Sequence, residues 1–308
     1  MDETIPFPEI MDPAHDDYKA TVDCTEVAYI GNKDWIITHK SQKKLNSGTY
    51  KIDYNPKYEY IFSNIEYEIK ELIRFDASVI DAVVHDAFKF WNRKDIYDAL
   101  KLPHKRSYLL YGDQGCGKSS LINMLVKDLL DRCPEALCIL YSNHLIEGLR
   151  QYNNVDPDAV KIIIIEDIDT LMEDKWMERE LLQFLDGSGP TLKNSLVIAT
   201  TNHLDSLEDR VKNRPSRFDK VIKIPTPNRE NREIFIREKI ALLRNSKIEV
   251  EEEDILQIIE KTAGLSVSHI VEIIVSTYGL GDNLADSIKR ANDMKNKSNN
   301  DKGFGFSS

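Results

Sequence analysis

The stretch Ser107-Tyr-Leu-Leu-Tyr111, followed by Gly112-Asp113-Gln114-Gly115-Cys116-Gly117-Lys118-Ser119-Ser120, decides how the rest of this 308-residue chain is read. Gly112 to Ser119 fit the pattern G-x(4)-G-K-[ST]. They stand directly after an apolar strand-like run and directly before Ile122, Leu125, Val126 and Leu129, which share one helical face. Glycines let successive backbone N–H groups turn toward phosphate oxygens, and the N-terminus of the following helix adds partial positive charge. Lys118 is then placed to reach the β- and γ-phosphates, and the Ser119 hydroxyl to meet Mg²⁺. Gly112, Asp113, Gln114, Gly115, Cys116, Gly117, Lys118, Ser119 and Ser120 form the candidate nucleotide-binding segment, with Cys116 as a loop filler. The bland alternative is a Gly-rich turn that merely starts a helix.

Further along, Ile162-Ile-Ile-Ile-Glu166-Asp167-Ile168-Asp169 sets three carboxylates just past a run that is apolar on both faces. Such a run suits a central parallel strand, and the carboxyl end of that strand is where an open α/β sheet forms its ligand crevice. Negative charge there calls for a cation. Glu166 is assigned to the metal through its waters, and Asp167 to orienting or deprotonating the attacking water. Standing alone, the same residues would read as a strand-to-helix turn with Asp169 as the helix N-cap.

Outward from these motifs, the chain alternates β and α. Strand patterns at Ser107–Tyr111, Ala136–Tyr141, Lys161–Ile165, Leu196–Thr200 and Val221–Ile224 are separated by helical ones, which predicts a three-layer α/β/α core over 76–227. From 228 to 290 strands vanish and three helices are expected, centred on Ile236/Ile240, Ile255/Ile258 and Ile270/Ile274, forming a helical lid. Residues 23–75 carry short β-rich runs (Val27–Ile30, Trp35–Thr38, Thr49–Ile52, Tyr58–Phe62, Ile65–Ile69) broken by Gly, Asn, Asp and Pro. They read as a small β-rich accessory domain, although in the last run Ile65, Ile69, Leu72 and Ile73 also satisfy helical spacing. Residues 1–22 read as a flexible lead-in, and the Lys/Asn/Ser-rich 291–308 as a disordered tail.

Bulk composition narrows the class. Formal charge is −11, which disfavours a surface that coats nucleic acid without excluding a local basic patch. Cys24, Cys116, Cys133 and Cys138 make no CxxC pair and have no His at zinc spacing, which fits a reducing compartment. The acidic, Pro-broken start lacks the form of a signal peptide, and apolar runs fall far short of the roughly 20 residues a bilayer span needs. The expectation is a cytoplasmic protein without membrane insertion.

Beyond these motifs, Leu181-Leu-Gln-Phe-Leu-Asp-Gly187, Val197-Ile-Ala-Thr-Thr-Asn-His203 and Arg214-Pro-Ser-Arg-Phe-Asp219 follow in order. Together they resemble the AAA family of ATPases, and within it the mitochondrial members that help assemble the cytochrome bc complex; the order Glu-Asp at 166–167 is part of that likeness. The resemblance spans roughly 76–280. It implies a P-loop NTPase core with a parallel five-stranded sheet in the order five-one-four-three-two, ATP and Mg²⁺ as cofactors, and a homo-oligomeric ring, hexamer or heptamer. It places Asn202 as a sensor that holds the attacking water. It also places Arg214 and Arg217 as fingers reaching into the next subunit's site, where guanidinium donors would meet charge growing on the phosphoryl group. A local salt bridge to Asp219 or Asp209 is the alternative for those arginines. Phe75–Ile80 lies where the family's linker touches adenine, and Gly264-Leu-Ser-Val-Ser-His269 at the lid turn near the nucleotide. Asp167 is one methylene shorter than the usual glutamate, and Ser142–Gly148 lacks the aromatic loop with which many members grip a threaded chain. The resemblance thus implies an ATP hydrolase that remodels or translocates an unknown protein client. The alternatives are an ATPase loader in nucleic-acid metabolism and a nucleotide-binding scaffold.

Overall fold

The computed structural model describes residues 26–31, 34–38, 44–56, 59–65, 77–187, 192–205, 207 and 216–301. The chain divides into two compact units, Met1–Leu45 and Asn46–Ser308. In the first, β1 (Glu26–Gly31) and β2 (Asp34–Thr38) form an antiparallel hairpin with Glu26 opposite Thr38 and Ala28 opposite Ile36. The expected lead-in over 1–22 lies outside the described residues.

The second unit is built on one seven-stranded sheet. Its strands are β3 (Gly48–Asn55), β4 (Glu59–Asn64), β5 (Lys105–Tyr111), β6 (Leu137–Leu140), β7 (Lys161–Ile165), β8 (Ser195–Thr201) and β9 (Lys220–Lys223), in the order β4-β3-β6-β7-β8-β5-β9. From β9 to β6 this is the five-one-four-three-two order, all parallel. The helices α1 (Ala77–Trp91), α2 (Lys94–Ala99), α3 (Lys118–Arg132), α4 (Leu145–Val155), α5 (Ile168–Leu171) and α6 (Lys175–Leu185) accompany it. Ile162 and Ile164 pack with Val83, Val84 and Ala87 of α1 and Leu121, Ile122 and Leu125 of α3. Ile163 and Ile165, fully buried as well, point to the opposite face by the two-residue period of a strand. That double burial is why β7 reads as an unbroken apolar run.

The accessory-domain boundary at 75 is corrected here. β3 pairs in parallel with β6, Gly48 against Leu137 through Lys51 against Leu140, and β4 pairs antiparallel outside it, so residues 48–64 extend the core sheet. Tyr50 and Ile52 are buried by this union, and Ser142 Oγ donates to Ile52 O at 2.5 Å. Gly148 lets α4 settle onto the strand, since a Cβ there would lie 2.5 Å from Ile52 Cγ2. The hairpin is contiguous and turn-bounded, so its local pattern looks autonomous; the pairing that decides its place joins residues nearly ninety positions apart. Of the run Ile65–Ile69, open between strand and helix from its spacing, only Ile65 is described, just past the end of β4.

The lid holds α7 (Arg229–Asn245), α8 (Glu252–Lys261), α9 (Val267–Ile274) with a π turn over Val275–Gly279, and α10 (Leu284–Asp301). Phe235, Ile236 and Ile240, Ile255, Ile258 and Ile259, and Ile270, Ile273 and Ile274 form its core together with Ile288 and Ala291. The tail boundary at 291 therefore moves. α10 continues to Asp301 and Ala291 is buried, because one apolar stripe anchors a helix whose remaining faces are polar.

Candidate functional site

The site is built where β5, β7 and β8 end together. β5 ends at Tyr111, the glycine-rich loop turns, and α3 begins at Lys118. Gly112 passes under the end of β9: a Cβ there would sit 2.3 Å from Ile224 O, which no side chain tolerates. Gly115 has φ +76, and a Cβ on it would come within 3 Å of the Ser266 and Ser268 hydroxyls at the start of α9. The Ser268 N–H donates to Gly115 O at 3.4 Å. The lid's Ser-Val-Ser turn thus lies directly on the phosphate loop, where the sequence reading placed it.

The Lys118 ammonium is folded into this loop, only 7% exposed. It donates to Gly112 O at 2.8 Å, Asp113 O at 3.1 Å and Asn202 Oδ1 at 2.6 Å. Asn202 stands just past β8 and donates through Nδ2 to Asp167 Oδ1 at 3.0 Å. Three motifs scattered over 84 residues are therefore joined by one hydrogen-bonded relay, Lys118 to Asn202 to Asp167. Beside it the Ser119 hydroxyl donates to the Glu166 carboxylate. Asp113 and Gln114 are exposed on the loop, and Ser120 is half-buried in the first turn of α3.

Asp167 itself adopts the left-handed conformation, φ 48 and ψ 53. That is a sparsely populated region for a residue with a Cβ, and such strain persists only where the surroundings hold it. Its N–H donates to Thr200 Oγ1 at 2.9 Å, which fixes the turn. It also occupies the N-cap of α5, displacing Asp169 from the role the bland reading gave it. Its carboxylate caps nothing, although an N-cap aspartate usually does; instead it turns toward Asn202. Thr200 stands inside the quoted Val197–His203 motif, but sequence reasoning gave it no role.

The donor set fits magnesium. Mg²⁺ takes one or two protein oxygens and completes its shell with water and substrate phosphates, and the Ser119 hydroxyl and Glu166 carboxylate supply such a pair. Among the described residues no group of three or more His, Cys, Asp or Glu could hold a metal without that help. Cys116 is buried, and burial pushes its thiol up against the opposing pull of Lys118, which agrees with a filler and not a nucleophile.

A cleft of about 160 Å³ opens beside Cys116 and Gly117, walled by Val79, Leu121, Met124, Ile224 and Pro225. Val79 belongs to the expected adenine segment 75–80. A larger, open hollow of about 540 Å³ on α1 and α3, near Asp81, His85, Phe88 and Arg132, holds none of the motif residues.

The arginines behave differently. Arg214 lies outside the described residues. Arg217 is only 6% exposed and does not project: its guanidinium donates to both carboxylate oxygens of Asp186, at 3.0 and 3.2 Å. A local salt bridge to Asp219 or Asp209 was the alternative from sequence: Asp209 lies outside the described residues, and Asp219 accepts from Ser107 N at 2.7 Å and pairs with Arg106, while the described salt-bridge partner of Arg217 is Asp186. Asp186 stood inside the quoted Leu181–Gly187 motif without a role. The Arg217 carbonyl accepts from Ser107 Oγ at 2.7 Å, which puts Arg217 at the N-terminal end of β5. The phosphate loop is at the other end, some five residues or roughly 15–20 Å away, far beyond the reach of one side chain.

The model of the ATPase family associated with various cellular activities (AAA) matches residues 108–226, which run from β5 through the connector to the lid. Residues 108–226 are an AAA ATPase domain. Around this domain the chain is 32% identical over 157 residues to the human mitochondrial chaperone BCS1, covering 45% of this chain and 36% of that protein. It is 30% identical over 162 residues to the Bos taurus protein of the same name. It is also 28% identical over 152 residues to the cell division control protein 48 homolog B of Arabidopsis thaliana, covering 43% of this chain and 25% of that one. The AAA domain is in this sense BCS1-like. The chain spans about a third of the length of the BCS1 relatives it matches. The solved structure of C. elegans PCH-2 superposes with a TM-score of 0.54 at 16% identity, covering 72% of this chain and 69% of that chain, a likeness of fold. No helix among the described residues is long and apolar enough to cross a membrane.

Proposed function

We propose that this chain hydrolyses ATP with Mg²⁺ in a ring of like subunits, and that turnover remodels a protein client. The observation that carries the reading is the separation along β5: the Lys118–Asn202–Asp167 relay stands at one end, and Arg217 at the other. A finger that cannot reach its own site serves the site of a neighbour, so the hydrolytic centre is completed only by assembly. Magnesium held by Ser119 and Glu166 would neutralise charge on the β- and γ-phosphate oxygens. Lys118 leaves Asn202 for the phosphates, which frees the Asn202 carboxamide to hold a water against Asp167. Asp167 takes that water's proton. Arg217, released from Asp186, supplies the guanidinium in trans.

Mixing subunits tests this. Lys118→Ala and Arg217→Ala chains, each inactive alone, recover part of the phosphate release when combined, because one interface in the mixed ring holds both intact halves. No recovery, with both chains folded and co-assembled, refutes completion in trans. Salt-sensitive stimulation by DNA would point instead to a nucleic-acid loader, a reading the net charge of −11 disfavours.

A further inference from the structure

We infer that Asn231 is the residue that selects adenine, by pairing its carboxamide with the N6/N7 edge of the base; the inference rests on the ATPase reading above and deepens it. The cleft beside Cys116 and Gly117 measures about 160 Å³. That is below the roughly 300–1,000 Å³ of a pocket that encloses a whole drug-sized ligand, and it suits one flat base, with ribose and phosphates continuing onto the loop. Its apolar walls can stack any base, because every base has a π-face. Discrimination must come from edge hydrogen bonds.

Three polar side chains line the cleft: Thr226, Asn228 and Asn231. A threonine hydroxyl rotates and serves as donor or acceptor, so it does not choose between bases. Asn228 is committed as the N-cap of α7, its Oδ1 accepting from Asn231 N at 2.8 Å. Asn231 is half-buried, its backbone is fixed by that cap, and its carboxamide has no hydrogen-bond partner among the described residues. A carboxamide offers one acceptor and one donor side by side, which matches the N6 amino group and N7 of adenine. Guanine presents two acceptors on the same edge, O6 and N7, and one of them would face the Asn oxygen.

The test compares MgATP, MgGTP and Mg-7-deaza-ATP, which lacks N7, by calorimetry on the full chain and on Asn231→Ala and Asn231→Asp. Position 231 is in the first turn of α7, where aspartate suits the helix dipole, so Asn231→Asp keeps the fold while removing the donor. The unaltered chain is expected to prefer ATP over GTP and over 7-deaza-ATP. Asn231→Ala should lower ATP affinity by about 5- to 150-fold, the range of a bidentate base contact, leave GTP nearly unchanged, and bind ATP and 7-deaza-ATP alike. Asn231→Asp should lose ATP affinity in the same direction. An ATP/GTP ratio unmoved by Asn231→Ala, or full affinity of the unaltered chain for 7-deaza-ATP, overturns the inference and leaves the ATPase reading standing. Absence of binding of any nucleotide by the unaltered chain overturns both.

Discussion

The two ends of β5 solve opposite problems. At the C-terminal end the backbone itself is the working part: glycines clear space, and Lys118, Asn202 and Asp167 are joined in one hydrogen-bonded chain. At the N-terminal end charge is locked away. Lys105 Nζ donates to Leu185 O and to Ser216 O at 2.7 Å, Arg217 grips Asp186, and Asp86 is held by Tyr108, Arg106 and Lys220. Burial alone would raise the Asp86 carboxyl, but the Tyr108 hydroxyl, Lys220 and Arg106 outweigh it and hold it below the ordinary range. The first end is poised to exchange partners with a nucleotide. The second exchanges partners only if something draws Arg217 out, and the buried cost of an unpaired charge explains why it stays in when nothing does.

The contrast can be broken most severely at Arg217. Arg217→Ala should cut phosphate release by about 10³-fold or more, the scale of a lost arginine finger, while MgATP affinity by calorimetry stays unchanged. Asp186→Asn loosens the same pair but keeps the guanidinium, so hydrolysis should persist. Equal losses in the two variants would make the pair a structural clamp. Lys118→Ala, at the other end, should lower turnover by about 10²–10³-fold and weaken nucleotide binding too, since its ammonium meets phosphate in the ground state as well.

A smaller effect separates stored charge from needed charge. Lys161 opens β7 at the same end as Lys105, is fully buried, and its Nζ has Ala159 O at 2.9 Å. Desolvation pulls it down to about 8. The native state therefore sheds this proton before the unfolded chain does, and stability rises with pH from about 8 toward 10.5. Lys161→Met should stabilise the fold at pH 7 by on the order of 3 kcal/mol, an advantage that shrinks over that window in pH-resolved thermal melts. The smallest effect belongs to the lid. Burial, with Lys295 nearby, lowers His269, whose Nδ1 lies 2.6 Å from Ser266 Oγ. Its neutral form is the native one, so stability is full above its ordinary value near 6.5 and falls as pH drops below it. His269→Gln should flatten that acid limb.

What could be read in advance divides along the same line. The phosphate loop, the carboxylates after β7 and the stripes of α7 to α9 are local patterns whose spacing is itself the constraint: the loop follows β5, the carboxylates follow β7, and the three stripes fall on helices. The pairing of Arg217 with Asp186 could not be read, because Asp186 and Asp219 carry the same charge and their spacing does not tell which of them the fold brings to the guanidinium. The placing of β3 and β4 was hidden for a related reason: strand pairing in parallel is settled by a distant partner, and a hairpin's own alternation is silent about which sheet it joins. In α10, polar composition hid a helix that one stripe of Ile288 and Ala291 suffices to hold.

The carbonyl of Ile224 that crowds Gly112 belongs to the strut leading out of β9 into the lid, and its N–H is already tied to Tyr111 O at 2.7 Å. Two prolines, Pro225 and Pro227, stiffen the next few bonds. The strut that carries the lid is thus tied by a backbone bond to the strand that feeds the phosphate loop, so the lid's footing and the loop's floor share one stretch of main chain.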